Sequence, residues 1–479
     1  MKKPLTAIAI VLALGACTTT QPKEPVAPPT PVEPKKEEVE VKKISESERL
    51  NAFFEDVFME NVKRSPISMT YLGIKGDYDK WDDVSDAREI EDYELFKKRV
   101  AEMEAGFDYA KLDDNAKLSY DLFKYSFEQE TKSFPWRQYN YTFNQMFGQQ
   151  SSIPAFLINQ HKVGSKSDAE AYIARLNGVK DYLGQHIANA KASAEKGIRP
   201  PLFVYDYVIS DAENVLTGYP FSETADMSDS PLMADIRGKL TKLKDEEKIT
   251  EETYNALLLE AETALGESVG PAYVSLIDFM KTDQVNATTE DGAWKLPDGA
   301  KYYAMRLNRM TTTDMTADEI HELGLSEVAR IHDEMRTIMT KVGFEGDLKA
   351  FFDYTRTDSK FFKPNTEEGK AEYLKEATEM IDTMRDALPK MFNTFPKADL
   401  TVKAVEAFRE KSAGKAFYQR PAPDGSRPGT YYANLYNMAD MPVYQMEALA
   451  YHEGIPGHHM QIAIAQELQD VPKFRKYGG

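Results

Sequence analysis

Three of the chain's seven histidines fall within eight residues, in the stretch YHEGIPGHHMQ from Tyr451 to Gln461. Two imidazoles one helical turn apart, with a glutamate directly after the first, form the pattern that holds zinc and supplies a general base. His452 and Glu453 have that adjacency, but the next histidines stand at i+6 (His458) and i+7 (His459) rather than i+4. On an unbroken helix His458 would lie ~9 Å along the axis and ~240° around it, facing away from a metal on His452. The intervening Gly454-Ile455-Pro456-Gly457 offers the remedy. Pro456 has no N–H for the carbonyl of His452 and its ring clashes with that group, so the helical ladder must open, and two glycines free the chain to loop out. A bulge of about two residues brings His458 to the second ligand's place, and one of three residues brings His459. The reading adopted is a metal on His452 and His458, with His459 as alternative ligand or supporting group.

Other candidates fail on spacing. In IHELGL the residue four after His321 is Leu325, and His332 is ~16 Å from His321 by helical rise, so both read as ordinary helix residues. GDYDKWDD (76–83) imitates a calcium loop, but its sixth-position glycine is replaced by an aspartate and its twelfth-position glutamate by Arg88. It reads as an exposed loop that caps a helix through Ser85.

The elements that must position the cluster are helical nearly throughout. Leu50, Phe53, Phe54, Val57 and Phe58 share one face of a first helix that stops at Pro66. Ser167 to Glu170 and Thr316 to Glu319 read as capping boxes, and long helices are expected within Asp113–Lys132, Glu251–Lys281 and Glu367–Leu388. Two aromatic stretches lack helix periodicity, SFPWRQYNYTFNQMF (133–147) and RPGTYYANLYN (427–437), and each reads as a strand or ordered loop. The second lies just upstream of the histidines.

Composition narrows the function. At 479 residues, 42% of them hydrophobic, the chain can bury an ordinary core. A formal charge of −19 without any basic stripe excludes nucleic acid as a partner. Lys2 and Lys3 followed by the apolar run Leu5–Leu14 form an export signal too short to span a bilayer, and Leu14-Gly15-Ala16-Cys17 looks like a bacterial lipobox. That resemblance implies a signal peptide over 1–16, cleavage before Cys17 and lipidation of its thiol. Thr18 stands where an inner-membrane retention signal would place Asp, which points to an outer-membrane lipoprotein facing the periplasm. Cys17 is also the only cysteine, which removes disulfides and cysteine-rich zinc sites. The Pro, Glu and Lys-rich stretch over 17–44 cannot bury enough surface to order itself and reads as a disordered tether. The folded domain is expected over 45–479.

The segment RPGTYYANLYNMADMPVYQMEALAYHEGIPGHHMQIA, with SKSDAEAYIARL, KGIRPP and YYAMRLNRMTTTDMTADEIHELGLSEVARIHDEM, resembles the bacterial lipoproteins and cytosolic relatives of the domain of unknown function 885. That family is similar to helical zincin-like (gluzincin) metallopeptidases of the carboxypeptidase and oligopeptidase type. The resemblance implies a mainly α, zincin-like helical domain with a central cleft and a few short strands near the site. It implies one zinc ion on His452 and His458, Glu453 as the base that activates the zinc-bound water, and a short peptide as substrate. In such enzymes an edge strand above the site holds the substrate backbone; Thr430 to Tyr436 is the candidate, with Tyr431 or Tyr432 helping to stabilise an oxyanion. Catalytic zinc needs a third protein ligand. Related sites take it from a glutamate on a following helix, in a Glu-Gly-Trp segment that this chain lacks; Glu467 lies ~12 Å beyond His459 and is a poor ligand. The expectation is therefore a chain truncated at its C-terminus, which binds zinc weakly or is inactive as it stands. The alternatives are a non-catalytic binding or assembly lipoprotein on the same fold, and a zinc hydrolase of non-peptide amides.

Overall fold

Every helix that the periodicity predicts is present in the computed structural model, which describes residues 44–222 and 228–478. The export signal, Cys17 and nearly all of the 17–44 stretch lie outside the described residues. The first helix, Glu46–Lys63, opens on a capping box between Ser45 and Glu48 and buries Leu50, Phe54 and Val57. Pro66 does more than stop it: with Ser65 as N-cap, it starts a short helix over Pro66–Tyr71. The 30-residue helix Lys166–Glu195 is capped by Ser165, whose hydroxyl accepts from the Asp168 N–H, so the cap lies two residues before Ser167. Thr316 and Glu319 form the reciprocal box as expected, and Ser85 caps Asp86–Gly106. The first aromatic stretch is neither strand nor plain loop, since Phe134–Tyr139 forms a 3-10 helix.

Three apolar clusters hold the described residues together. The largest joins the helices between Gln149 and Gln284 through Leu157, Tyr172, Leu176, Val208, Leu240 and Leu276. A second gathers Leu50, Phe54, Met103 and Phe123, with Phe474 of the last helix tilted against Phe54 and edge-on to Phe123. The third binds Tyr373, Ile381, Tyr431, Met446, Ala450 and Met460, and lies beneath the histidine cluster. By contrast, Ala317–Lys341 buries only Met339 and leaves Leu323, Leu325, Val328 and Ile338 half exposed. No helix among the described residues is long and apolar enough to cross a membrane.

The only sheet among the described residues has three short strands, β1 (Leu400–Ala404), β2 (Ala416–Gln419) and β3 (Gly429–Ala433), in the order β1-β3-β2. β1 pairs with β3 in parallel and β2 pairs with it antiparallel. The segment expected to be an edge strand is thus the central one, with both sides of its backbone engaged. A sequence rich in β-branched and aromatic residues is what a strand buried on both faces needs, and every residue of β3 is buried. The free edges belong to β1 and β2.

Candidate metal centre

The helix Val443–Glu453 ends at Glu453, and a second helix, His458–Glu467, starts at His458. Between them the backbone leaves the helical ladder. The Gly457 N–H donates to the carbonyl of Tyr451, six residues back instead of four, so the ladder resumes two residues late. Both glycines are required by close approach: a Cβ at Gly457 would stand 2.0 Å from the His452 carbonyl oxygen, and one at Gly454 2.6 Å from that of Ala450. The Ile455–Pro456 peptide is cis.

This break turns two imidazoles toward one another. The rings of His452 and His458 lie 4.7 Å apart, centroid to centroid, at an interplanar angle of 78°. His452 is exposed and His458 half-buried, while Glu453 between them is buried. The Glu453 Oε2 has no hydrogen-bond partner. Burial pushes this carboxyl above its ordinary range, and the neighbouring His458 and His452 pull it partly back.

His459 is placed differently. Its Nε2 lies 2.9 Å from the carbonyl oxygen of Ala398, which can only accept, so Nε2 carries the proton. Its Nδ1 then accepts from the Tyr418 hydroxyl at 2.9 Å. Burial holds the ring below its ordinary pKa and hence neutral. Both ring nitrogens of His459 are thus engaged in hydrogen bonds, whereas the His458 ring lies against that of His452. Tyr418 escaped the sequence reading. No local signal marks it: Tyr418 stands opposite Tyr431 only through the β2–β3 register.

The two tyrosines considered for an oxyanion separate because successive strand residues face opposite ways. Tyr431 points into the cluster beneath the histidines, where its buried hydroxyl has Tyr373 for a neighbour. Burial raises its pKa far above the ordinary value, with further contributions from Tyr373 and Glu453 nearby. Tyr432 faces the other side, stacked on Phe417 at 4.8 Å and close to the Arg409 guanidinium, and cannot serve the same site. Glu467 is engaged elsewhere, accepting from the Lys397 N–H at 2.7 Å. No group of three or more His, Cys, Asp or Glu side chains suited to a metal occurs among the described residues. The imidazole pair and the adjacent carboxylate thus have no third ligand beside them among the described residues.

The family model for bacterial proteins of unknown function DUF885 matches residues 66–479. Among solved structures, the chain is similar to a candidate lipoprotein from Colwellia psychrerythraea at 22% identity and a TM-score of 0.78. It is also similar to a candidate lipoprotein of unknown function from Shewanella oneidensis at 14% identity and a TM-score of 0.56. Each comparison covers 91% of this chain and 75% of the other. At such identities the likeness is one of fold. No curated protein matches.

Proposed function

The chain belongs to the DUF885 family of bacterial proteins, and from that premise we propose that it is a zinc-dependent peptidase of the bacterial envelope with a zincin-like fold, acting on short peptides. One observation carries this reading: the paired rings of His452 and His458 beside a buried carboxylate whose Oε2 has no partner. An orphaned buried carboxylate oxygen is costly, and such groups persist where a ligand or a proton transfer uses them. His452 and His458 would hold the ion. When bound, zinc would make a water molecule acidic enough to ionise near neutral pH. Glu453 is the base that takes the proton and returns it to the leaving amine. Tyr431 is the nearby hydroxyl that could steady developing negative charge. The export signal, the lipobox cysteine and the two candidate lipoproteins of like fold support a lipid anchor on Cys17 in the outer membrane, facing the periplasm.

The second reading is a binding or assembly lipoprotein that keeps the fold without catalysis, favoured by the missing third donor among the described residues. Hydrolysis of a non-peptide amide would use the same groups. Metal content after exposure to zinc, together with cleavage of a mixed peptide library, separates these readings. The peptidase reading expects bound zinc that is lost in His452→Ala and His458→Ala, and cleavage that is lost in Glu453→Gln with zinc retained. A protein that takes up no zinc and cuts nothing overturns the peptidase reading for this chain and favours the binding reading; one that cuts only other amides is the third case.

A further inference from the structure

On another part of the molecule is a cavity of about 280 Å³ that shares no residue with the histidine site. Its walls bring together Lys75, Lys162, Lys242 and Arg427, an unusual concentration of positive charge in a chain of formal charge −19. Lys75 is paired with Asp168 at 2.8 Å, and Lys242 reaches Glu246 at 3.9 Å. Lys162 and Arg427 form no ion pair among the described residues. The carboxylate of Asp424 also lines the cavity, but it packs against Gly73 and accepts from the Ser426 N–H.

Arg427 is only 6% exposed, and its buried Nε donates to nothing. Its one side-chain hydrogen bond among the described residues is a long one of 3.4 Å, from Nη2 to the Arg420 carbonyl. A buried guanidinium with a free donor and no ion pair is a costly arrangement unless an anion completes it. Gln160, 4% exposed on the same cavity, has an unpartnered Oε1 that calls for a donor. Burial pulls Arg427 below its ordinary pKa range, partly offset by Tyr71 and Asp424, and Lys162 is lowered by desolvation and by the Arg427 charge.

We propose that this cavity binds a compact organic anion, whose phosphate or carboxylate is held by Arg427 and Lys162 and whose hydroxyl or N–H donates to Gln160. The volume lies just under the ~300–1,000 Å³ of sites for drug-sized ligands, so the occupant is small. The Arg427 fork suits a planar or tetrahedral oxyanion, and Lys162 adds a mobile point charge.

Calorimetric titration of the whole chain tests the site, with EDTA present so that the outcome is independent of the histidine pair. The probes are inorganic phosphate, glycerol 3-phosphate and succinate, with glycerol and sodium chloride at matched ionic strength as controls. Saturable binding of at least one anion is expected, and glycerol 3-phosphate against succinate tells a phosphate from a carboxylate ligand. Lys162→Met, a change at an exposed residue, should weaken that binding about tenfold or more, as should Arg427→Gln. The proposal fails if none of the three anions binds saturably, or if Lys162→Met binds them as tightly as the unaltered chain.

Discussion

The Tyr418 hydroxyl and the His459 imidazole meet at 2.9 Å, joining strand β2 to the helix that carries His458. This contact passes over Gly429, where a Cβ would stand 2.5 Å from the His459 Nδ1 and 2.6 Å from the Tyr418 oxygen. His459 is thus a clamp between the sheet and the helix that begins at His458.

Tyr418→Phe removes the proton that satisfies the buried Nδ1. The expected loss is roughly 1–3 kcal/mol of stability, measured by denaturant unfolding. Zinc uptake by the folded variant should change little, whereas His458→Ala should abolish it. Equal loss of zinc in both variants would mean that His459, or its bond to Tyr418, participates in holding metal.

Gly457→Ala forces a methyl group against the carbonyl oxygens of His452 at 2.0 Å and Tyr451 at 2.5 Å, both of them backbone and unable to swing aside. A destabilisation of about 2 kcal/mol or more is expected, together with loss of zinc uptake. A variant as stable as the parent would show that the break between the helices is not held in this form.

Glu453→Gln should stabilise the metal-free protein at neutral pH by roughly 1–2 kcal/mol, because it removes a buried charge whose Oε2 has no partner. The sign follows from the raised carboxyl pKa. Below the ordinary value of 4.5 folded and unfolded chains are both protonated and the variant gains nothing; the gain grows as pH rises through the folded-state pKa. Thermal melts in EDTA at neutral and acid pH would show it, and a lower Tm for the variant at neutral pH would count against the assignment.

Acid should destabilise the fold through histidines far from the site. Burial lowers His186 to about 4, and burial with the adjacent Arg175 lowers His161 to about 3. Between the unfolded value near 6.5 and these values only the unfolded chain takes up the proton, so stability falls as pH falls, by up to about 1.4 kcal/mol per pH unit for each group. The buried Nε2 of His186 also lacks a partner. His186→Phe should therefore raise stability by about 1 kcal/mol at neutral pH and flatten the decline between roughly pH 6.5 and 4. An unchanged slope of unfolding free energy against pH would contradict this.

Helices were legible in the sequence because their signals are local. Apolar residues recurred at helical spacing in the first helix, and Thr316 with Glu319 declared an N-terminus. The helix break was legible for the same reason, since a proline and two glycines act on their own turn. Pairing was not. The sequence marked Thr430 to Tyr436 as extended, but only the return of β2 and the arrival of β1 decide that this strand is central. That decision also separates Tyr431 from Tyr432 and supplies Tyr418 to His459, a contact spanning 41 residues that no local pattern encodes. The different surroundings of His458 and His459 depend on these distant partners.

The interruption at Gly454–Gly457 also has an electrical consequence. A motif within a continuous helix lies away from both poles of the backbone dipole. Here one helix ends at Glu453 and the next begins at His458, so a negative and a positive pole face each other across four residues. The negative pole reinforces burial in keeping the Glu453 proton, and the positive pole favours electron-rich species beside His458. That field belongs to the main chain, so exchanging any one side chain of the cluster leaves it in place.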